Sequence, residues 1–160
     1  SQLEKGTAFH IYLPELKDEH KSKEGEPDVE HVDVDGAGRL VVLAEDDAPT
    51  RSAVQAMLEA SNFEVQTARH GLEALTLIEV QADRVELVIS DVVMPLMGGM
   101  DLYDQLKWRW PKIKVLFITG HPLEGKAGNL LSQGEISWLQ KPFSVQELQS
   151  AIFKVLEEPR

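Results

Sequence analysis

The stretch Val88-Ile89-Ser90-Asp91-Val92-Val93-Met94-Pro95 decides the fold. Leu87, Val88 and Ile89 are continuously apolar, Asp91 ends the run, and Pro95 forbids a regular strand or helix interior soon after. A short apolar run closed by a Pro/Gly cluster reads as a buried parallel strand that delivers a polar residue at its carboxyl end. In open α/β sheets that edge carries the chemistry. Asp91 is therefore the candidate nucleophile, a carboxylate that accepts a phosphoryl group.

The pattern repeats on both sides of this stretch. Upstream, Arg39–Ala44 is a strand whose Leu40, Val41, Val42 and Leu43 are apolar without interruption, as in a strand covered on both faces. It ends in Glu45-Asp46-Asp47. Pro49 suits the first turn of a helix with Asp47 as its N-cap, and Val54, Met57 and Leu58 recur at helical spacing up to Ser61-Asn62. Phe63–Thr67 is a short strand. Gly71–Val80 is helical, with Leu72, Leu75, Ile78 and Leu77 expected to face inward, and Val85–Ser90 is the central strand.

Downstream, Gly98-Gly99 breaks the chain. A helix over Met100–Arg109 follows, with Leu102, Tyr103 and Leu106 expected inside and Pro111 ending it. Ile113–Ile118 is a strand that runs into Thr119-Gly120-His121. Leu123–Gln133 is the weakest helix, because Gly125 and Gly128 each cost roughly 1 kcal/mol relative to alanine. Glu135–Gln140 is the last strand, followed by Lys141-Pro142-Phe143. Ser144 and Glu147 have capping-box spacing for a final helix with Leu148, Ile152 and Leu156 inside and Val145 at its start. Five β/α units between residues 39 and 157 predict a doubly wound parallel sheet with strand order 2-1-3-4-5.

Composition removes several alternatives. The chain has 160 residues, 42% of them hydrophobic and 27% charged, which suits one globular domain with a proper core. Its net charge of −11 opposes binding to nucleic acid and direct contact with an anionic membrane. Without cysteine there is no disulfide, thiolate zinc site or thiol nucleophile. No apolar run approaches the roughly 20 residues of a membrane span, and Ser1-Gln2-Leu3-Glu4-Lys5 does not open like a signal peptide. The expected location is cytoplasmic.

Polar groups collect at the carboxyl ends of the strands: Glu45 and Asp46 after the first, Asp91 after the third, Thr119 after the fourth and Lys141 after the fifth. In a parallel sheet of the expected order they converge at the switch point between strands 1 and 3. Three carboxylates in one place repel one another, and a hard divalent cation held by oxygen alone, Mg²⁺ (or Mn²⁺), relieves that. Lys141 can pair with Asp91 and then with a phosphoryl oxygen, while Thr119 offers a hydroxyl to a second one. Such a site works by charge stabilisation and positioning. Each feature alone has a plain explanation, as a helix cap or a turn; the joint arrangement carries the reading. Two other motifs fail: Asp33-Val34-Asp35-Gly36 lacks the terminal Glu of a calcium loop, and Gly36/Gly38 lacks the third glycine of a dinucleotide fingerprint.

From Val42 to Asp47, Ser90 to Pro95 with Gly98-Gly99, Thr119-Gly120-His121 and Lys141-Pro142-Phe143, the sequence resembles the receiver domain of two-component response regulators. The resemblance covers roughly residues 39–157. It implies Asp91 as phospho-acceptor, Asp46 as direct Mg²⁺ ligand, Glu45 as a ligand through water and the backbone carbonyl of Val93 as another. It also implies Thr119 as the switch hydroxyl, Lys141 as the phosphate-binding lysine and a cis bond before Pro142. Trp138 falls at the position of the switch aromatic, with a half-buried strand residue as its plain alternative. Val93 and His121 fall near the path of a water attacking the phosphorylated Asp91. An apolar Val93 cannot orient that water, and His121 either does so or is simply a solvated loop residue; slow self-dephosphorylation is expected.

The amino-terminal residues carry a second, shorter resemblance. Gly6-Thr7-Ala8-Phe9-His10-Ile11-Tyr12-Leu13-Pro14 is similar to the last strand of histidine-kinase ATP-binding domains. Residues 1–14 are thus expected to be a remnant of such a domain, 15–38 a charged linker closed flexibly by Gly36-Ala37-Gly38, and 39–160 the receiver. The expected parent is a hybrid sensor kinase, which can be membrane-anchored. Its own kinase domain, or another histidine kinase, would be the phosphodonor. With no effector segment after Arg160, the expected output is a histidine phosphotransfer protein or autoregulation of the kinase through the surface of helix 4, strand 5 and helix 5; a homodimer is open. Two rival classes remain. A docking module that is never phosphorylated would lack Asp91, an acid or Lys141. A phosphohydrolase would need a second Asp for acid/base work close after the nucleophile; Val93 stands two residues on, and Asp101 is too far along to serve locally.

Overall fold

A computed structural model describes residues 35–120 and 125–157. Ten elements alternate along it: β1 (Leu40–Ala44), α1 (Ala48–Ala60), β2 (Glu64–Ala68), α2 (Gly71–Gln81), β3 (Val85–Asp91), α3 (Gly99–Arg109), β4 (Lys114–Thr119), α4 (Gly125–Ser132), β5 (Ser137–Gln140) and α5 (Val145–Glu157). The five strands form one parallel sheet in the order β2-β1-β3-β4-β5, as the sequence pattern predicts. Among the described residues no helix is long and apolar enough to cross a membrane.

Side-chain alternation divides the core into two layers. Val41, Leu43, Leu87, Ile89, Leu116 and Ile118 point to the α1/α5 side and meet Val54, Leu58, Leu148, Ile152 and Val155. Leu40, Val42, Ala44 and Val88 point to the other side and meet Ala74, Leu75, Ile78, Leu102 and Leu106 of α2 and α3. Central strands covered on both faces need apolar residues at every position, which is why β1 is buried throughout. In the central strands polar residues are therefore left toward the ends, whereas the edge strand β2 carries Gln66 at its middle.

Local signals hold the helices in register. Asp47 caps α1 by accepting the Thr50 N–H at 2.9 Å, with Pro49 in the first turn. Ser144 and Glu147 form the reciprocal capping box of α5: Glu147 Oε2 accepts the Ser144 N–H at 2.7 Å, and Ser144 Oγ accepts the Glu147 N–H at 3.2 Å.

Several boundaries and faces differ from the expectation. β3 continues through Asp91 rather than stopping at Ser90, because Asp91 still pairs in register with Ile118 of β4. β5 starts at Ser137 rather than Glu135: the Glu135 N–H is engaged by the Leu130 carbonyl in closing the end of α4. Leu72 does not face inward. It is 46% exposed, because the His70 cap sets the buried stripe of α2 at Gly71, Ala74, Leu75 and Ile78. Val145 is exposed, and Val155 rather than Leu156 is the fully buried residue at the end of α5.

Gly36-Ala37-Gly38, expected as a flexible join, is a pinned turn. The Gly36 and Gly38 N–H groups donate to the Ser61 and Asn62 carbonyls at 2.7 and 2.8 Å, and the Arg39 N–H closes the turn on the Gly36 carbonyl. A Cβ on Gly36 would lie 2.6 Å from the Phe63 ring, so no side chain fits there. The proposed strand within 1–14, the linker up to residue 34 and His121 lie outside the described residues.

Candidate functional site

Sheet register brings the strand ends together. Leu43 and Ala44 of β1 lie opposite Ile89 and Ser90 of β3, so Glu45 comes beside Asp91 at the carboxyl edge. Thr119 follows the residue opposite Asp91, and it pairs in turn with Gln140, the residue before Lys141. The Lys141 N–H donates to the Thr119 carbonyl at 2.9 Å, and the Lys141–Pro142 bond is cis.

Lys141 Nζ is the centre of the cluster. It donates to Asp91 Oδ2 at 2.6 Å and to Glu45 Oε2 at 2.5 Å. Glu45 is 1% exposed and Asp91 8%. Asp91 Oδ1 accepts the Val93 N–H at 3.1 Å, so both its oxygens are engaged. Asp46 is exposed, and one carboxylate oxygen from each of Glu45, Asp46 and Asp91 lies within 4.8 Å of the others. Burial pushes the Glu45 carboxyl above its usual range, and the bond from Lys141 opposes this only in part. Burial also works against the charged form of Lys141, but its bonds to Asp91 and Glu45 outweigh that and hold the ammonium above its ordinary range.

These groups fit a divalent cation. Three carboxylates, two of them buried, and one ammonium leave two excess negative charges in the cluster. The donors are all hard oxygens, and the exposed Asp46 marks the side open to solvent. Mg²⁺ prefers this combination, since it takes one or two carboxylates and keeps several waters.

The backbone around the cluster is equally specified. A Cβ at Gly99 would stand 2.2 Å from the Asp91 carbonyl oxygen and 3.0 Å from Ser90 Oγ, so only glycine lets α3 begin against the end of β3. The buried Ser90 hydroxyl donates to that same carbonyl at 2.8 Å. In the loop between β3 and α3, Met97 N–H donates to the Pro95 carbonyl at 2.7 Å around Leu96, whose φ is +64°. On the β1 side, Arg51 Nη1 donates to the Glu45 carbonyl at 2.6 Å and to the Asp46 carbonyl at 3.2 Å.

The structure thus brings Glu45, Asp46, Asp91 and Lys141 into one cluster. Thr119 is fully buried at the adjoining strand end. Val93 holds Asp91 through its N–H while its side chain is 58% exposed. Trp138 is half-buried opposite Phe117 in the neighbouring strand. Sequence reasoning missed Arg51 and Ser90. Ser90 carried no pattern distinct from the strand around it. Arg51 carried one usable sign, a basic residue in the first turn of a helix that follows three acids.

Fold and cluster together define a class. Residues 41–153 match the response regulator receiver domain family, and the chain belongs to it. Among relatives, it is 34% identical over 164 residues to the sensor kinase CckA of Brucella abortus (strain 2308), an alignment that takes in 99% of this chain and 17% of that protein. The chain therefore spans about a sixth of that relative's length. Among solved structures, it resembles the receiver domain of the hybrid histidine kinase CckA, with 28% identity and a TM-score of 0.62 over 74% of this chain and 99% of that one. The chemotaxis protein CheY4 of Vibrio cholerae is also similar, at 28% identity and a TM-score of 0.65 over 73% of this chain and 98% of that one.

Proposed function

We propose that Asp91 is the phosphoryl acceptor of this receiver and that the reaction depends on Mg²⁺. The observation that carries this reading is the placement of Lys141 Nζ between Asp91 and Glu45 within a cluster of three carboxylates. Glu45, Asp46 and Asp91 would hold the cation, with the Val93 carbonyl as a further ligand. When bound, the cation neutralises the carboxylates and the oxygens of the incoming phosphoryl group.

An Asp91 carboxylate oxygen attacks the phosphorus of a phosphohistidine. The new O–P bond forms as the P–N bond breaks, and the imidazole nitrogen keeps the electron pair and takes a proton. Lys141 exchanges its bond to the carboxylate for one to a phosphoryl oxygen, so charge is balanced throughout the transfer. Thr119 then turns its hydroxyl to a second phosphoryl oxygen, and Trp138 follows toward the space vacated. The result is a two-state surface over α4, β5 and α5.

The alignment with the CckA sensor kinase takes in nearly the whole chain, including residues before the receiver. That supports a hybrid histidine kinase as the parent, with residues 1–14 ending its ATP-binding domain. Its kinase domain would be the phosphodonor and a histidine phosphotransfer protein the acceptor. Incubation with Mg²⁺ and acetyl phosphate, followed by intact-mass measurement, tests the central claim. One phosphoryl group per chain is expected, lost in Asp91→Asn and in the presence of a chelator. Multiple turnover of the donor, or labelling retained in Asp91→Asn, overturns it.

A further inference from the structure

Arg51 holds the whole acidic loop from behind. Its Nη1 donates to the carbonyls of Glu45 and Asp46, and its own backbone N–H donates to the carbonyl of Asp47 at 2.9 Å. The side chain therefore engages two consecutive carbonyls of the segment that carries two of the three clustered acids, while the bond to Asp47 is the first i→i−4 bond of α1. The guanidinium makes no ion pair with the clustered carboxylates of Glu45, Asp46 or Asp91 among the described residues; its hydrogen bonds go to backbone oxygen, and it acts on Asp47 only through space. A guanidinium beside three acids would ordinarily be drawn to one of them. Here the peptide planes of 45 and 46 are turned so that their oxygens face the Arg51 guanidinium, while the Glu45 carboxylate is bonded to Lys141 and the Asp46 carboxylate stays open to solvent.

We infer that Arg51 is a positioning residue for the cation: it fixes the backbone of Glu45 and Asp46 so that their carboxylates stay gathered with Asp91. This rests on the reading of the cluster as a Mg²⁺ site. Two effects of opposite sign separate it from a mere nearby charge. As a charge alone, Arg51 repels a divalent cation, so removing it would tighten binding. As the support for ligand-bearing peptides, its removal would weaken binding, by about 10–100-fold for groups that orient metal ligands from outside.

The test is calorimetric titration of Mg²⁺ into wild type, Arg51→Met and Arg51→Lys, with thermal unfolding measured in Mg²⁺-free buffer. Arg51→Met is expected to bind Mg²⁺ about tenfold or more weakly. Arg51→Lys, which keeps the charge and can reach fewer of the carbonyls, should fall between the two. At saturating Mg²⁺ the phosphorylation rate of Arg51→Met by acetyl phosphate should return close to the wild-type rate, a split that general collapse of the site would not produce. Equal or tighter Mg²⁺ binding by Arg51→Met overturns the inference. If that variant does not fold, wild-type affinity in Arg51→Lys overturns it. Failure of the wild type itself to bind Mg²⁺ overturns instead the reading of the cluster.

Discussion

Lys141 and Asp91 stand 50 residues apart in the chain and 2.6 Å apart at Nζ and Oδ2. The relationship is produced by the sheet. β3 and β5 flank β4, all three run in one direction, and each ends at the same edge. Lys141, the residue after β5, reaches back to Asp91 and Glu45.

Replacing Lys141 with Met should slow phosphorylation of Asp91 by acetyl phosphate about 10²–10³-fold, the usual effect of removing a donor that stabilises developing charge. The same change raises the excess negative charge of the cluster, so Mg²⁺ should bind more tightly. Phosphorylation rates and Mg²⁺ titration on the one variant check both signs, and loss of both properties would contradict the assignment.

Thr119→Ala should leave the phosphoryl group on Asp91 but uncouple it from the surface. Adding beryllofluoride and Mg²⁺ to the wild type is expected to shift backbone amide resonances across α4 and β5; in Thr119→Ala those shifts should shrink while adduct formation persists. Undiminished shifts would remove Thr119 from the switch.

Gly99→Ala should destabilise the domain by about 2–3 kcal/mol, at the upper part of the range for overpacking. The new Cβ meets the Asp91 carbonyl oxygen, a backbone atom that cannot swing away as a flexible side chain would. Gly120→Ala is the control, since its Cβ meets nothing within 4 Å among the described residues. Urea unfolding of both variants checks the contrast.

The cap of α5 has a defined pH dependence. Its Ser144 N–H, and then the Ser144 hydroxyl, hold the Glu147 carboxyl below its ordinary value of 4.5. A depressed carboxyl contributes stability that is present above its unfolded value and is lost as pH falls through the folded one. The gap in Tm between wild type and Glu147→Gln should therefore be full near neutral pH and close as pH drops below 4.5. A gap that widens on acidification would reverse the sign.

Phosphorylated Asp91 should be long-lived. Val93, two residues on, presents an exposed apolar side chain that cannot align an attacking water. Loss of label after removal of the donor measures this, and a half-life of seconds would contradict it.

The sequence by itself determined the alternation of strands and helices, the order of the strands and the residues gathered at their ends. It could do so because a strand buried on both faces must be apolar throughout, which leaves each polar residue conspicuous at a terminus; Leu40–Leu43 before Glu45, and Val88 and Ile89 before Asp91, show this directly. The caps at Asp47 and Ser144 were legible for a related reason, since they act within three residues of themselves. Tertiary structure alone decided that Lys141, expected to pair with Asp91, also bonds Glu45, that Gly99 admits α3 against the Asp91 carbonyl, that Leu72 turns outward, and that the Arg51 guanidinium bonds the carbonyls of Glu45 and Asp46. Those outcomes depend on how segments distant in sequence approach one another and on where peptide oxygens point. Neither leaves a periodic mark on the order of side chains.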